Sequence, residues 1–100
     1  MTLKSILEIC DKDVHICIGS DNRWIFIPNE GGDVDHIYDV TIGNFLKYAP
    51  EEVLDANVIC LRRGSTYLDF NIECPSSNTI IDGYGNIFVN CKPTDWKIEN

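Results

Sequence analysis

Residues 66–72 read Thr66-Tyr67-Leu68-Asp69-Phe70-Asn71-Ile72 and alternate without interruption. In an extended chain successive side chains point to opposite faces, so Tyr67, Asp69 and Asn71 share one face and Leu68, Phe70 and Ile72 the other. Carboxylate and amide opposite three large apolar groups describe a sheet with one face on a core and one in water. Immediately before it, Asn57–Leu61 is an apolar strand and Arg62–Ser65, with Gly64, a turn, so the two segments form a hairpin. The same grammar recurs on both sides. Val14–Ile18 and Arg23–Ile27 flank the turn residues Gly19-Ser20-Asp21-Asn22, and Pro28 ends the returning strand. Thr79–Asp82 and Ile87–Cys91 flank Gly83-Tyr84-Gly85-Asn86, a third hairpin whose glycines supply positive φ.

Helical signals are short. Thr2 is an N-cap for a helix reaching Cys10, with Leu3, Ile6 and Leu7 on its apolar face. Ile42–Tyr48 forms one or two helical turns, and Pro50-Glu51-Glu52 opens a brief helix through Leu54. Asn29–Asp33 is a loop, and residues 34–41 read as its continuation with a short extended piece. The expected fold is a small single α+β domain over residues 1–100, a largely antiparallel sheet of hairpins with an N-terminal helix and a short middle helix. The expected core is Ile16, Ile18, Ile25, Ile27, Val58, Cys60, Leu68, Phe70, Ile72 and Ile87. Most aromatic residues, Trp24 and Phe26 included, are expected there too. Tyr38, Tyr84 and Trp96 lie in or beside loops and are expected as interface anchors.

With 100 residues there is room for one hydrophobic core, and 44% hydrophobic content is ordinary for a globular chain. The charge is not ordinary: eight Lys and Arg stand against sixteen Asp and Glu, a net charge of -8. Direct nucleic-acid binding is not expected, because neutralising phosphates needs clustered cations. No apolar run approaches a membrane-spanning length, and the N-terminal stretch does not read as an export signal. The five cysteines, odd in number and irregularly spaced, fit reduced thiols in the cytoplasm better than a disulfide framework. No CxxC pair marks a zinc site.

Acids concentrate in the first half: residues 1–55 hold eleven acids against four bases. Glu30, Asp33, Asp35, Asp39, Glu51, Glu52 and Asp55 are accompanied only by Lys47. They form either a solvated face or an anionic surface that docks on a basic groove, as a nucleic-acid mimic does. Within them, Asp33-x-Asp35-His36-x-x-Asp39 gathers hard oxygen ligands. Counted as a calcium loop from Asp33, however, Tyr38 stands where the central glycine belongs and Asn44 where the closing glutamate belongs. No metal site and no cofactor are expected. No nucleophile elbow, cysteine-protease signature or phosphate-binding glycine loop occurs, so no catalytic residue is assigned.

The stretches LKSILEICDKDVHICI (3–18), PEEVLDANVICL (50–61) and YLDFNIE (67–73) resemble short accessory proteins carried by phages and other mobile elements of Gram-positive bacteria. The resemblance rests on helix and strand patterns over about two-thirds of the chain and leaves residues 73–100 as an extension. It implies an accessory protein of the host-cell cytoplasm. Together with the acidic surface and the missing catalytic motifs, it leads to a non-enzymatic inhibitor of a host nucleic-acid-binding defence enzyme, of the anti-CRISPR kind. Its partner would be a host protein with a basic groove, such as a CRISPR effector. The alternatives are a structural or regulatory protein that forms homo-oligomers through sheet edges, and a small metal-dependent enzyme using Asp33–Asp39.

Overall fold

The computed structural model describes residues 1–91. The N-terminal helix α1 is shorter than its apolar pattern suggests, Leu3–Leu7. Thr2 caps it by accepting the Ser5 amide at 3.2 Å, and Leu3 and Leu7, one turn apart, are buried. The Lys12 ammonium donates to the Leu7 carbonyl at 3.2 Å and closes the end. Strands β1 (His15–Ser20) and β2 (Arg23–Pro28) follow, joined by Asp21-Asn22. Both turn residues have positive φ, 51° and 62°, the backbone that a two-residue hairpin needs and that Asp and Asn tolerate.

Residues 34–41 are not one loop. They contain β3 (Val34–His36) and β4 (Val40–Thr41). Helix α2 (Ile42–Tyr48) begins on the cap Thr41, whose hydroxyl accepts the Asn44 amide at 3.2 Å. It stops at Ala49, which is extended as a residue before proline must be. After α3 (Glu51–Leu54) come β5 (Val58–Arg63), β6 (Leu68–Ile72), β7 (Thr79–Ile81) and β8 (Ile87–Val89).

The strand order is β5-β6-β1-β2-β8-β7. The hairpins are antiparallel, while β6 joins β1 and β8 joins β2 in parallel. The central hairpin pairs only near its turn, at Gly19↔Trp24 and Ser20↔Arg23. Beyond that the two strands part, and the segment after Asp33 fills the gap. There β3 pairs β2, β4 pairs β1, and the Ile18 amide donates to the Ile37 carbonyl at 3.0 Å. Acidic residues around isolated apolar ones hide this wedge in the sequence, yet Ile37 is fully enclosed.

Helices and the inner sheet face enclose Leu3, Leu7, Ile16, Ile18, Ile25, Ile27, Ile42, Phe45, Val53, Phe70, Ile72 and Ile87. Two corrections follow. Cys60, expected in the core, is exposed, because β5 is an edge strand and its register slips between Val58 and Cys60. Trp24, also expected inside, is 49% exposed, because it pairs with Gly19 on the outer face. Val58 and Leu68 are half-buried against the core. Among the described residues no helix is long and apolar enough to cross a membrane.

No disulfide forms among the cysteines. Thiol titration of the denatured, unreduced chain should find five groups. Brief alkylation of the native protein should label Cys60 and Cys74 first, since both are exposed, and Cys17 and Cys91 last, since both are buried. Equal labelling of Cys17 and Cys60 would contradict the placement of β1 inside the sheet.

Candidate functional site

Residues directly opposite one another in adjacent strands project to the same face. Pairing of Cys17 with Asp69, Gly19 with Trp24 and Phe26 with both His36 and Phe88 therefore collects these residues on the outer face. Their rings form a continuous row. Phe88 stacks on Phe26 at 5.0 Å, Phe26 lies 5.7 Å from His36, and His36 lies 4.7 Å from Trp24 and 5.8 Å from Tyr38. Tyr38 meets Trp24 at 6.3 Å and 82°, and Tyr67 at 5.8 Å and 62°. These are edge-to-face separations that favour aromatic pairs. Phe88 is buried, but Tyr38 is 50% exposed, as open as Trp24.

Gly19 shapes what lies beside the row. A Cβ there would stand 2.9 Å from the Arg23 carbonyl oxygen, so a side chain cannot be added without moving the hairpin. The bare backbone leaves a cleft of about 180 Å³. Trp24, Tyr38 and Tyr67 line it together with Cys17, Asp69 and Asn71, and Arg23 and Arg62 also border it. Asn71 is held by accepting the Asp21 amide at 2.8 Å, which fastens the hairpin turn to β6.

The cleft is bordered by Arg23 and Arg62 as well as Asp69, and its buried cysteine is not an activated nucleophile. Burial pushes the Cys17 thiol up, and Asp69 and Asp39 add to that, although the Asp39 amide donates to its sulfur at 3.3 Å. A thiol held protonated is a poor nucleophile. The Tyr67 phenol is also raised, first by Cys17 and Tyr38, then by desolvation, Asp69 and Asp39.

The acids singled out in the sequence, Asp35 apart, divide between two other grooves. Glu30, Asp33 and Asp39 line one with His15 and Tyr48. There His15 Nδ1 lies 3.0 Å from Asp39 Oδ1, and the Tyr48 hydroxyl is raised by burial, then by Asp35 and Glu30. Glu51, Glu52 and Asp55 line the other with Glu73, and Glu52 accepts from the Asn78 amide group at 2.8 Å. Asp35 contacts His36 at 3.2 Å. Among the described residues no three of His, Cys, Asp and Glu converge as metal ligands would.

Tyr38 joins the ring row. Tyr84 instead stands at the β7–β8 tip, 72% exposed, where the Asp82 carboxylate accepts its amide at 2.9 Å. Its neighbour Gly85 lies against the Arg23 side chain, so this tip sits beside the β1–β2 turn. Trp96 lies outside the described residues. Sequence reasoning missed Trp24, His36 and Gly19 as site residues, although the strict alternation of TYLDFNI had already placed Tyr67 and Asp69 toward solvent. No family model matches the chain, and no curated protein or solved structure matches it either.

Proposed function

We propose that this chain is a non-enzymatic binding protein that docks on a basic protein surface, most concretely as an inhibitor of a host enzyme that handles nucleic acid, of the anti-CRISPR kind. One observation carries the reading: the outer sheet face presents half-exposed Trp24 and Tyr38 in a row of touching rings, in a chain of net charge -8. Exposed Trp and Tyr are the side chains that anchor protein interfaces. The surplus of acid selects a cationic partner and speeds encounter with it.

Substituting Asp33→Asn, Asp35→Asn, Glu51→Gln and Glu52→Gln together tests the charge component. The melting temperature should stay nearly constant, because exposed charges contribute little to stability. Association with a partner captured from host lysate should slow by about tenfold or more, and wild-type binding should weaken with salt. Because Asp33 lines one groove and Glu51 and Glu52 the other, the aspartate pair and the glutamate pair changed separately identify the groove nearer the partner. A complex indifferent to salt and to all four changes would contradict docking through acidic surfaces.

A second reading has its own observation. Among the described residues strand β5 pairs on one side only, with Ile59 61% and Leu61 47% exposed, a template for pairing with another copy. That reading expects Leu61→Lys to change oligomer size and partner binding to ignore the ring row.

A further inference from the structure

We propose that the cleft beside Trp24, Tyr38 and Tyr67 is a receptor for one carboxylate, the side chain of a glutamate or aspartate on the partner protein, with Arg62 and Arg23 as its cations. The inference rests on the docking reading above and deepens it. Acids elsewhere on the chain draw in a basic surface, and the cleft selects, among basic surfaces, one that carries an acid in the matching place.

Charge argues for this occupant. Arg62 faces Asp69 across the β5–β6 ladder, and residues opposed in this way project to one face, so Arg62 belongs to the outer face. Arg23 borders the cleft at the β1–β2 turn, where Gly85 packs against its stem: a Cβ on Gly85 would stand 3.4 Å from Arg23 Cδ. Against these two cations the lining holds one carboxylate, Asp69. The cleft thus has a cationic surplus within a chain of net charge -8. Neither arginine forms an ion pair among the described residues, where the pairs are His15 with Asp39 and His36 with Asp35.

Hydrogen-bonding capacity points the same way. Asn71 accepts the Asp21 amide with its carbonyl oxygen at 2.8 Å, which leaves its NH2 group to donate. A guanidinium presents paired N–H groups that match the two oxygens of a carboxylate. Size limits the ligand further. Pockets for cofactors and drug-sized ligands run from roughly 300 to 1,000 Å³, whereas this cleft is about 180 Å³, room for a single side chain. The Trp24 and Tyr38 rings give the methylene stem of that side chain an apolar wall and keep water from the ion pair, which strengthens it.

The test titrates the full chain, labelled with nitrogen-15 and carrying Trp96→Phe so that Trp24 supplies its sole indole signal. The probes are capped Gly-Glu-Gly, Gly-Asp-Gly and Gly-Gln-Gly and inorganic phosphate, all at fixed pH and ionic strength. The glutamate and aspartate peptides should shift the Trp24 indole N–H and the Asn71 side-chain amide saturably. The glutamine peptide, which keeps the shape of glutamate without its charge, should bind at least about fivefold more weakly. Phosphate should also bind more weakly, because it has no stem to lay on the rings. Arg62→Gln and Arg23→Gln should each weaken glutamate binding by about fivefold or more. Asp69→Asn, which removes a like charge, should tighten it. Melting curves check that the variants fold.

Glutamine bound as well as glutamate, phosphate bound in preference to both acidic peptides, or folded arginine variants that bind like wild type would overturn the carboxylate receptor. So would weaker glutamate binding by a folded Asp69→Asn chain, or no saturable shift with either acidic peptide. If the receptor fails in this way while a captured partner still depends on Trp24 and Tyr38, the docking reading stands without it. A partner indifferent to those rings would remove the docking reading itself, whatever the peptides do.

Discussion

Phe70→Ala should lower the free energy of unfolding by about 3–5 kcal/mol, the usual cost of emptying a buried phenylalanine site. Phe70 is fully enclosed, opposite Ile18 in the parallel β6–β1 pair and opposite Leu61 in the antiparallel β5–β6 pair. Strands hydrogen-bonded on both sides cannot close around the missing ring, so the cavity persists. Domains of this size have roughly 5–15 kcal/mol in all, so the variant should melt on the order of 20 °C lower. Cys60→Ala is the matched control. Cys60 sits in the neighbouring strand but is exposed, and its change should stay within about 0.5 kcal/mol. A Phe70→Ala protein that melts like wild type would put β6 on the surface and undo the sheet order.

All three hairpins were legible because their determinants are local. Asp21-Asn22 and the Gly83–Asn86 turn dictate reversals within a few residues, and alternation in TYLDFNI assigns each side chain a face. The parallel joins were not legible. Ile18 meets Phe70 and Phe26 meets Phe88 across long sequence separations, and nothing near either residue encodes the choice. The apolar run in β5 reads as interior from composition, but only its place at the sheet edge exposes Ile59 and Cys60. The candidate site inherits this division. The solvent face of β6 was readable, whereas the meeting of Trp24, Tyr38 and Tyr67 depends on β1 lying beside β6 and on the wedge of residues 34–41. Linear clustering likewise suggested one acidic surface, and folding distributes those acids, Asp35 apart, over two grooves.

The larger functional effect should come from the rings rather than from the acids. Exposed charges act mainly on encounter, while aromatic anchors act on how long a complex lasts. Truncating a central anchor typically costs about 2 kcal/mol or more. Trp24→Ala with Tyr38→Ala should therefore weaken the partner complex on the order of 100-fold or more, chiefly through faster dissociation. Both side chains are half exposed, so the fold should survive the change. The most direct measurement is the dissociation constant of a partner captured on the wild-type chain, compared between wild type and this double variant under matched salt, with melting curves for both. The outer-face account expects a complex weakened on the order of 100-fold by a protein that still folds; an unchanged constant in a folded double variant would contradict it.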